Sequence, residues 1–183
     1  MHQITRDQCV EWLRGRGLDL SSLDFPVTGE MKEALEVVVP LEGGPASALA
    51  AFIGELERDA FSGGIVCLRD WSLGSPELER IGHKCVSLMI CGDKDVDSNQ
   101  PLFLLSDSSD AVSIQVFLLQ AMLFHWDAFY VPNSAAFVVF LSNDELLYIV
   151  EKSPMTDEEV AFRFPEPGAR KVSTPPFLSK ECV

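Results

Sequence analysis

The spacing of hydrophobic and polar positions changes along the chain, and each change marks an element. Thr5 and Gln8 have capping-box spacing, and Val10 and Leu13 supply an apolar face with Trp12 nearby, so a short helix begins at Thr5 and stops at Gly15 and Gly17. Residues 18–29 read as irregular, with Pro26 and Gly29 as breakers. Residues 34–39 are a β-branched run ended by Pro40 and predict a first strand. Glu42-Gly43-Gly44 turns the chain into Pro45, which suits the first position of a helix running to about residue 60 with Leu49, Phe52, Ile53 and Leu56 at helical spacing. Gly63-Gly64 leads into a second strand at residues 65–68. Ser75-Pro76-Glu77-Leu78-Glu79 is a helix start, with an N-cap serine, proline at the first position and acids in the first turn. Leu78, Ile81, Cys85, Leu88 and Met89 make the apolar face of that helix, and Gly92 ends it.

Residues 101–150 contain most of the apolar mass. A third strand at residues 102–105 is followed by a turn in which Ser108, Ser109 or Asp110 caps a helix over residues 111–123. That helix is apolar nearly all round, which predicts burial on more than one side. Residues 128–131 and 136–141 read as strands joined by Pro132-Asn133-Ser134 in an antiparallel hairpin. Ser142-Asn143-Asp144-Glu145 has capping-box spacing and predicts one helical turn before residues 146–150, which read equally as strand or helix. Thr156 caps Asp157-Glu158-Glu159, and Pro165, Pro167, Pro175 and Pro176 make the rest an extended tail. The expected fold is α/β (or α+β): a mixed, roughly five-stranded sheet with helices packed on it and a C-terminal β-hairpin. The expected domain is residues 1–164, with a proline-rich tail over 165–183.

Composition narrows the partners. The 183 residues suit one domain, and 47% hydrophobic residues suffice for a core. A net charge of −14 repels phosphate, so neither nucleic acid nor an anionic membrane is an expected partner. No apolar leader follows Met1, and residues 111–124 are too short and too interrupted to cross a bilayer. Five cysteines without paired spacing look like reduced thiols and suggest a cytoplasmic protein.

Catalytic signatures are absent. No G-x-S-x-G, Walker A or G-x-G-x-x-G sequence occurs, and Gly43-Gly44 reads as an ordinary loop because Glu42 stands beside it and no lysine follows. None of the three histidines is paired at i, i+3 or i+4, and His125 reads as the cap of the buried helix. Asp93, Asp95, Asp97 and Asn99 echo a calcium loop, but Ser98 and Leu104 stand where its glycine and bidentate glutamate belong. No cofactor, metal site or catalytic residue is therefore expected. What remains is a set of acids at element ends: Asp107, Asp110, Asp127, Asp144 and Glu145, the only formal charges in residues 101–150. If they converge at one sheet edge they form an acidic patch, with Trp126 and Tyr130 as aromatic anchors for a partner. Each acid could instead cap a helix or turn.

The run His125-Trp126-Asp127-Ala128-Phe129-Tyr130-Val131-Pro132, with Phe137-Val138-Val139-Phe140-Leu141-Ser142-Asn143-Asp144-Glu145 after it, resembles a tract of small acidic bacterial proteins, some of them immunity proteins of polymorphic toxin or contact-dependent inhibition systems. That resemblance implies a non-enzymatic protein that covers the active site of a toxin, often a basic one. The leading expectation is thus an acidic binding protein for a basic protein partner. The rival is an enzyme using Asp107, Asp127 or His125 as general acid or base in a pocket at the strand ends. A third reading is a subunit of a larger assembly, docked through its tail.

Overall fold

The computed structural model describes residues 1–21, 25–27, 33–56, 62–70, 75–90, 100–151, 156–163 and 169–173. The Asp93–Asn99 echo of a calcium loop and most of the proline-rich tail lie outside these residues. The elements run β1 (His2–Ile4), α1 (Arg6–Arg14), β2 (Asp19–Leu20), β3 (Pro26–Val27), β4 (Ala34–Val38), α2 (Gly43–Leu56), β5 (Gly63–Asp70) and α3 (Pro76–Met89). They continue with β6 (Leu102–Asp107), a 3-10 turn at Ser108–Asp110, α4 (Ala111–Leu123), β7 (Asp127–Pro132), β8 (Phe137–Ser142), β9 (Leu146–Glu151), α5 (Asp157–Arg163) and β10 (Ala169–Val172).

The fold is α+β, built on one sheet of eight strands in the order β1-β6-β5-β7-β8-β9-β4-β10, and every neighbouring pair is antiparallel. This corrects the expectation of a mixed sheet of about five strands. The alternation of strand and helix suggested parallel neighbours, but α3 joins the antiparallel neighbours β5 and β6, and the other two helical connections skip strands. The α4 crossover carries β6 past β5 to β7, and the α2 crossover carries β4 past three strands to β5, so an antiparallel strand always lies between the parallel ones. Two edge strands, β1 and β10, add to the count. The second of these is Ala169–Val172, from the stretch expected to be tail, paired along β4. Ser142–Glu145 forms no helical turn: Ser142 pairs directly with Leu146, leaving a three-residue hairpin loop whose last residue, Glu145, has φ 64°.

Antiparallel sheets commonly leave one face to solvent, but this one is covered on both, which is why its strands read as unbroken apolar runs rather than alternating ones. Val66, Leu68, Leu104, Tyr130, Val139 and Ile149 face a core shared with α2, α3 and α4. Ile65, Cys67, Phe103, Phe129, Val131 and Phe140 face the other way, toward Cys9 and Leu13 of α1 and Phe25. On that second face a single register row crosses all eight strands. It is apolar from Ile4 through Phe103, Cys67 and Phe129 to Phe140, then turns polar at Tyr148, Glu36 and Arg170. Glu36 is buried, and the Arg170 guanidinium donates to it at 2.5 Å, tying β10 to the sheet. Burial, together with the Glu36 charge and hydrogen bond, pushes the Tyr148 hydroxyl up to about 12.

Gly63 and Gly64 start β5 where β6 and β7 close in from either side. A Cβ on Gly63, at φ 94°, would stand 2.6 Å from the Ser106 carbonyl oxygen, and one on Gly64 would overlap the Val131 carbonyl. Capping follows the sequence closely at α1, where Thr5 accepts from Gln8 N–H and the Gln8 side chain accepts from Thr5 N–H. The same reciprocal pair joins Thr156 and Glu159 at α5.

The helix over residues 111–123 packs against α2, α3 and the sheet, burying Ile114, Phe117, Leu118, Ala121 and Met122. It is not covered all round among the described residues: Val112, Val116 and Leu123 on its outward side are exposed.

Candidate functional site at the lower sheet edge

Strand direction decides which acids meet. Asp107 pairs across from Gly63, the first residue of β5, whereas Asp127 pairs across from Asp70, its last. Asp107 and Asp110 therefore lie at one end of the sheet, here the upper edge, and Asp127 at the lower edge. With strands of about six residues at roughly 3.3 Å each, the two ends are about 20 Å apart. The β8–β9 loop brings Asp144 and Glu145 to the lower edge with Asp127. The five acids divide into two groups rather than converging.

At the upper edge both acids serve the backbone. Asp107 accepts from Ser109 N–H at 2.8 Å and from the Ser109 hydroxyl, and these hydrogen bonds hold its carboxyl below the usual carboxylate range. Asp110 accepts from Asp107 N–H at 3.2 Å and from the Met1 α-ammonium at 2.8 Å, a largely buried ion pair that fastens β1 beside α4.

The two aromatic candidates are core residues. Trp126 is 0% exposed and stacks on Phe124 at 5.1 Å between ring centroids. Tyr130 is also 0% exposed, and its hydroxyl donates to the Gly63 carbonyl at 3.1 Å. Neither offers surface to a partner.

That lower surface is made by two chain reversals. At the end of α4 the backbone closes with Trp126 N–H donating to Ala121 O at 2.9 Å, and His125 takes the left-handed position with φ 53° where glycine is usual. Glu145 takes the left-handed position of the β8–β9 loop, and its carbonyl accepts from Val39 N–H at 2.8 Å. The side chains of these two residues meet, His125 Nδ1 to Glu145 Oε1 at 3.7 Å. Asp127 lies at the same edge. One of its oxygens accepts from Asn143 N–H at 2.8 Å and the other is 3.6 Å from Arg69, whose guanidinium also lies 3.9 Å over the Phe25 ring. Burial raises the affinity of Asp127 for a proton, and the charges of Asp70 and Asp144 raise it further; the Asn143 hydrogen bond and Arg69 oppose this without cancelling it.

Asp70 and Arg69 belong to this edge but carried no motif. Their signal was positional, an Arg-Asp pair directly after an apolar strand. Glu36 was equally readable as the lone charge within an apolar run.

Chemically, the lower edge presents carboxylates to solvent. His125 faces Glu145 rather than Asp127, and Asp107 is at the far end of the sheet, so the three residues of the enzymatic reading share no pocket. A small cleft lies elsewhere, against Leu35, Ile149, Val160 and Lys171, and contains none of them. Among the described residues, no three His, Cys, Asp or Glu side chains are placed to hold a metal ion, and no helix is long and apolar enough to cross a membrane. No family model, no curated protein and no solved structure matches the chain.

Proposed function

We propose that the chain is a non-enzymatic binding protein whose lower sheet edge docks a basic protein partner through Asp70, Asp127, Asp144 and Glu145. The observation that carries this reading is the mutual effect of these acids. Asp70 and Asp144 lie near enough to raise the proton affinity of Asp127, so the edge holds a concentration of negative charge that Arg69, 3.6 Å from Asp127, offsets in part. A guanidinium or ammonium from a partner would relieve that repulsion, and the long-range field of a −14 chain would steer a basic partner toward contact. Asp107 and Asp110 stand outside this surface, and the buried Trp126 lies directly beneath its His125–Asp127 part.

The resemblance of residues 125–145 to immunity-protein tracts supplies the partner class: a toxin domain with a basic active site, covered rather than chemically altered. The test is titration calorimetry and association kinetics of the chain against the product of its neighbouring gene, at low and high NaCl. Association should slow as salt rises, and Asp127→Asn with Asp144→Asn should slow it roughly tenfold at low ionic strength. An association rate indifferent to both salt and the double substitution would overturn the reading.

A further inference from the structure

The helical layer poses a different problem from the acidic edge. Val112, Val116 and Leu123 stand 73%, 37% and 40% exposed along one line of α4, and Ile81 and Leu88 stand 46% and 79% exposed one helical repeat of seven apart on α3. Val112, Val116 and Leu123 are spaced i, i+4 and i+11, which places them on one side of the helix, opposite the buried Ile114, Phe117, Leu118 and Ala121. A helix apolar on both its inner and outer sides is built to be covered on both. Among the described residues only the inner one is covered.

Charge says what the cover is. The chain carries −14, yet α4 has no formal charge, α2 has only Glu55, and in the α3 sequence Glu77 and Glu79 are balanced by Arg80 and Lys84. The three helices together contribute a single negative charge. Two copies of this chain repel one another over most of their surfaces, α5 with its Asp157, Glu158 and Glu159 included, and the α3–α4 part of the helical layer is where they can approach without setting like charges against each other. A basic partner has no electrostatic reason to choose this face, because the acids that would attract it lie at the sheet edge. We infer that the outward face of α3 and α4 is a self-association surface, on which a second copy of the chain packs its own α3 and α4. The contact is isologous: the same stripe serves both copies, and the lower sheet edge of each stays open. The apolar lines of two helices make a small interface, so the dimer is in the weak, concentration-dependent class.

Sedimentation velocity of the full chain from micromolar to millimolar concentration tests this. The expected species at high concentration has twice the 20.2 kDa chain mass. Raising NaCl should strengthen the dimer, because screening weakens the repulsion between two −14 copies; docking of a basic partner responds to salt with the opposite sign, so the two readings fail separately. Val112→Glu and Leu88→Glu place charge on the two most exposed positions of the stripe and should return the protein to monomer with its melting temperature unchanged. Leu41→Glu, also exposed but in the link before α2, should leave the dimer intact. A monomer at all concentrations, a dimer weakened by salt, or one that survives both stripe substitutions would overturn the inference. So would loss of the dimer in Leu41→Glu.

Discussion

The two ends of the sheet carry acids of similar sequence context and opposite character. At the upper edge, Asp107 and Asp110 find donors: Ser109, the backbone of Asp107 itself and the Met1 ammonium. At the lower edge, Asp127 has one backbone donor and a distant guanidinium, and it is surrounded by further carboxylates. The first arrangement spends carboxylate charge on holding the chain together. The second gathers carboxylates beside one backbone donor and Arg69, which raises the proton affinity of Asp127 at a cost in stability. A carboxylate at a strand end is thus not a functional signal by itself; what distinguishes the two kinds is whether local donors already satisfy it.

The largest effect that bears on this contrast comes from beneath the lower edge. Trp126→Ala should cost about 3–5 kcal/mol in denaturant unfolding, because the fully buried indole leaves a cavity among Phe124 and the α4 residues. A loss under 1 kcal/mol would mean that Trp126 is not part of the core, and would return it to the list of partner contacts.

Next comes the upper edge. Asp110→Ala removes the acceptor of the Met1 ammonium and of Asp107 N–H together, and should cost about 1–3 kcal/mol. The matching lower-edge change should do the reverse. Glu145→Gly relieves a left-handed backbone position, worth about 1 kcal/mol of added stability, while removing one docking carboxylate and slowing association of a basic partner. If Glu145→Gly destabilises the fold, its contact with His125 outweighs backbone strain and the lower edge is structural after all.

Much of this was readable from residues alone, and the rest was not, for identifiable reasons. Helix starts at Thr5 and Thr156 follow from local chemistry and stand as expected. Strands of five or more apolar residues were visible too. His2–Ile4 and Ala169–Val172 were not, since they are short, partly polar and defined only by a partner distant in sequence. Ser142–Glu145 carried a capping-box pattern that an adjoining strand pair turned into a hairpin loop. The site was partly legible in the same way. Asp127, Asp144 and Glu145 could each be recognised as strand-end acids, but grouping them apart from Asp107 and Asp110 requires strand direction, and that depends on pairings no local pattern reveals. The aromatics misled because a sheet buried on both faces has no alternation to say which side chains point outward.

The smallest effect separates the two ends most cleanly, because it reverses sign. The carboxyl of Asp127 is raised above its ordinary 3.8 by burial and by its neighbours' charges. Its ionised form is disfavoured in the folded state, so its contribution to stability is most favourable below 3.8 and is lost as pH rises through the folded value. Asp107 is shifted the other way by its Ser109 hydrogen bonds, so it stabilises above 3.8 and loses that contribution as pH falls through its lower folded value. Melting curves of the wild type, Asp127→Asn and Asp107→Asn across the acid range should show this directly. Raising the pH should favour Asp127→Asn over the wild type and should favour the wild type over Asp107→Asn. The same asymmetry reaches binding: a partner cation beside Asp127 lowers its proton affinity, so docking at a pH near its raised folded value should release protons. Calorimetry in buffers of different ionisation enthalpy reads that release. Docking that releases protons equally from wild type and Asp127→Asn would place the partner away from the lower edge.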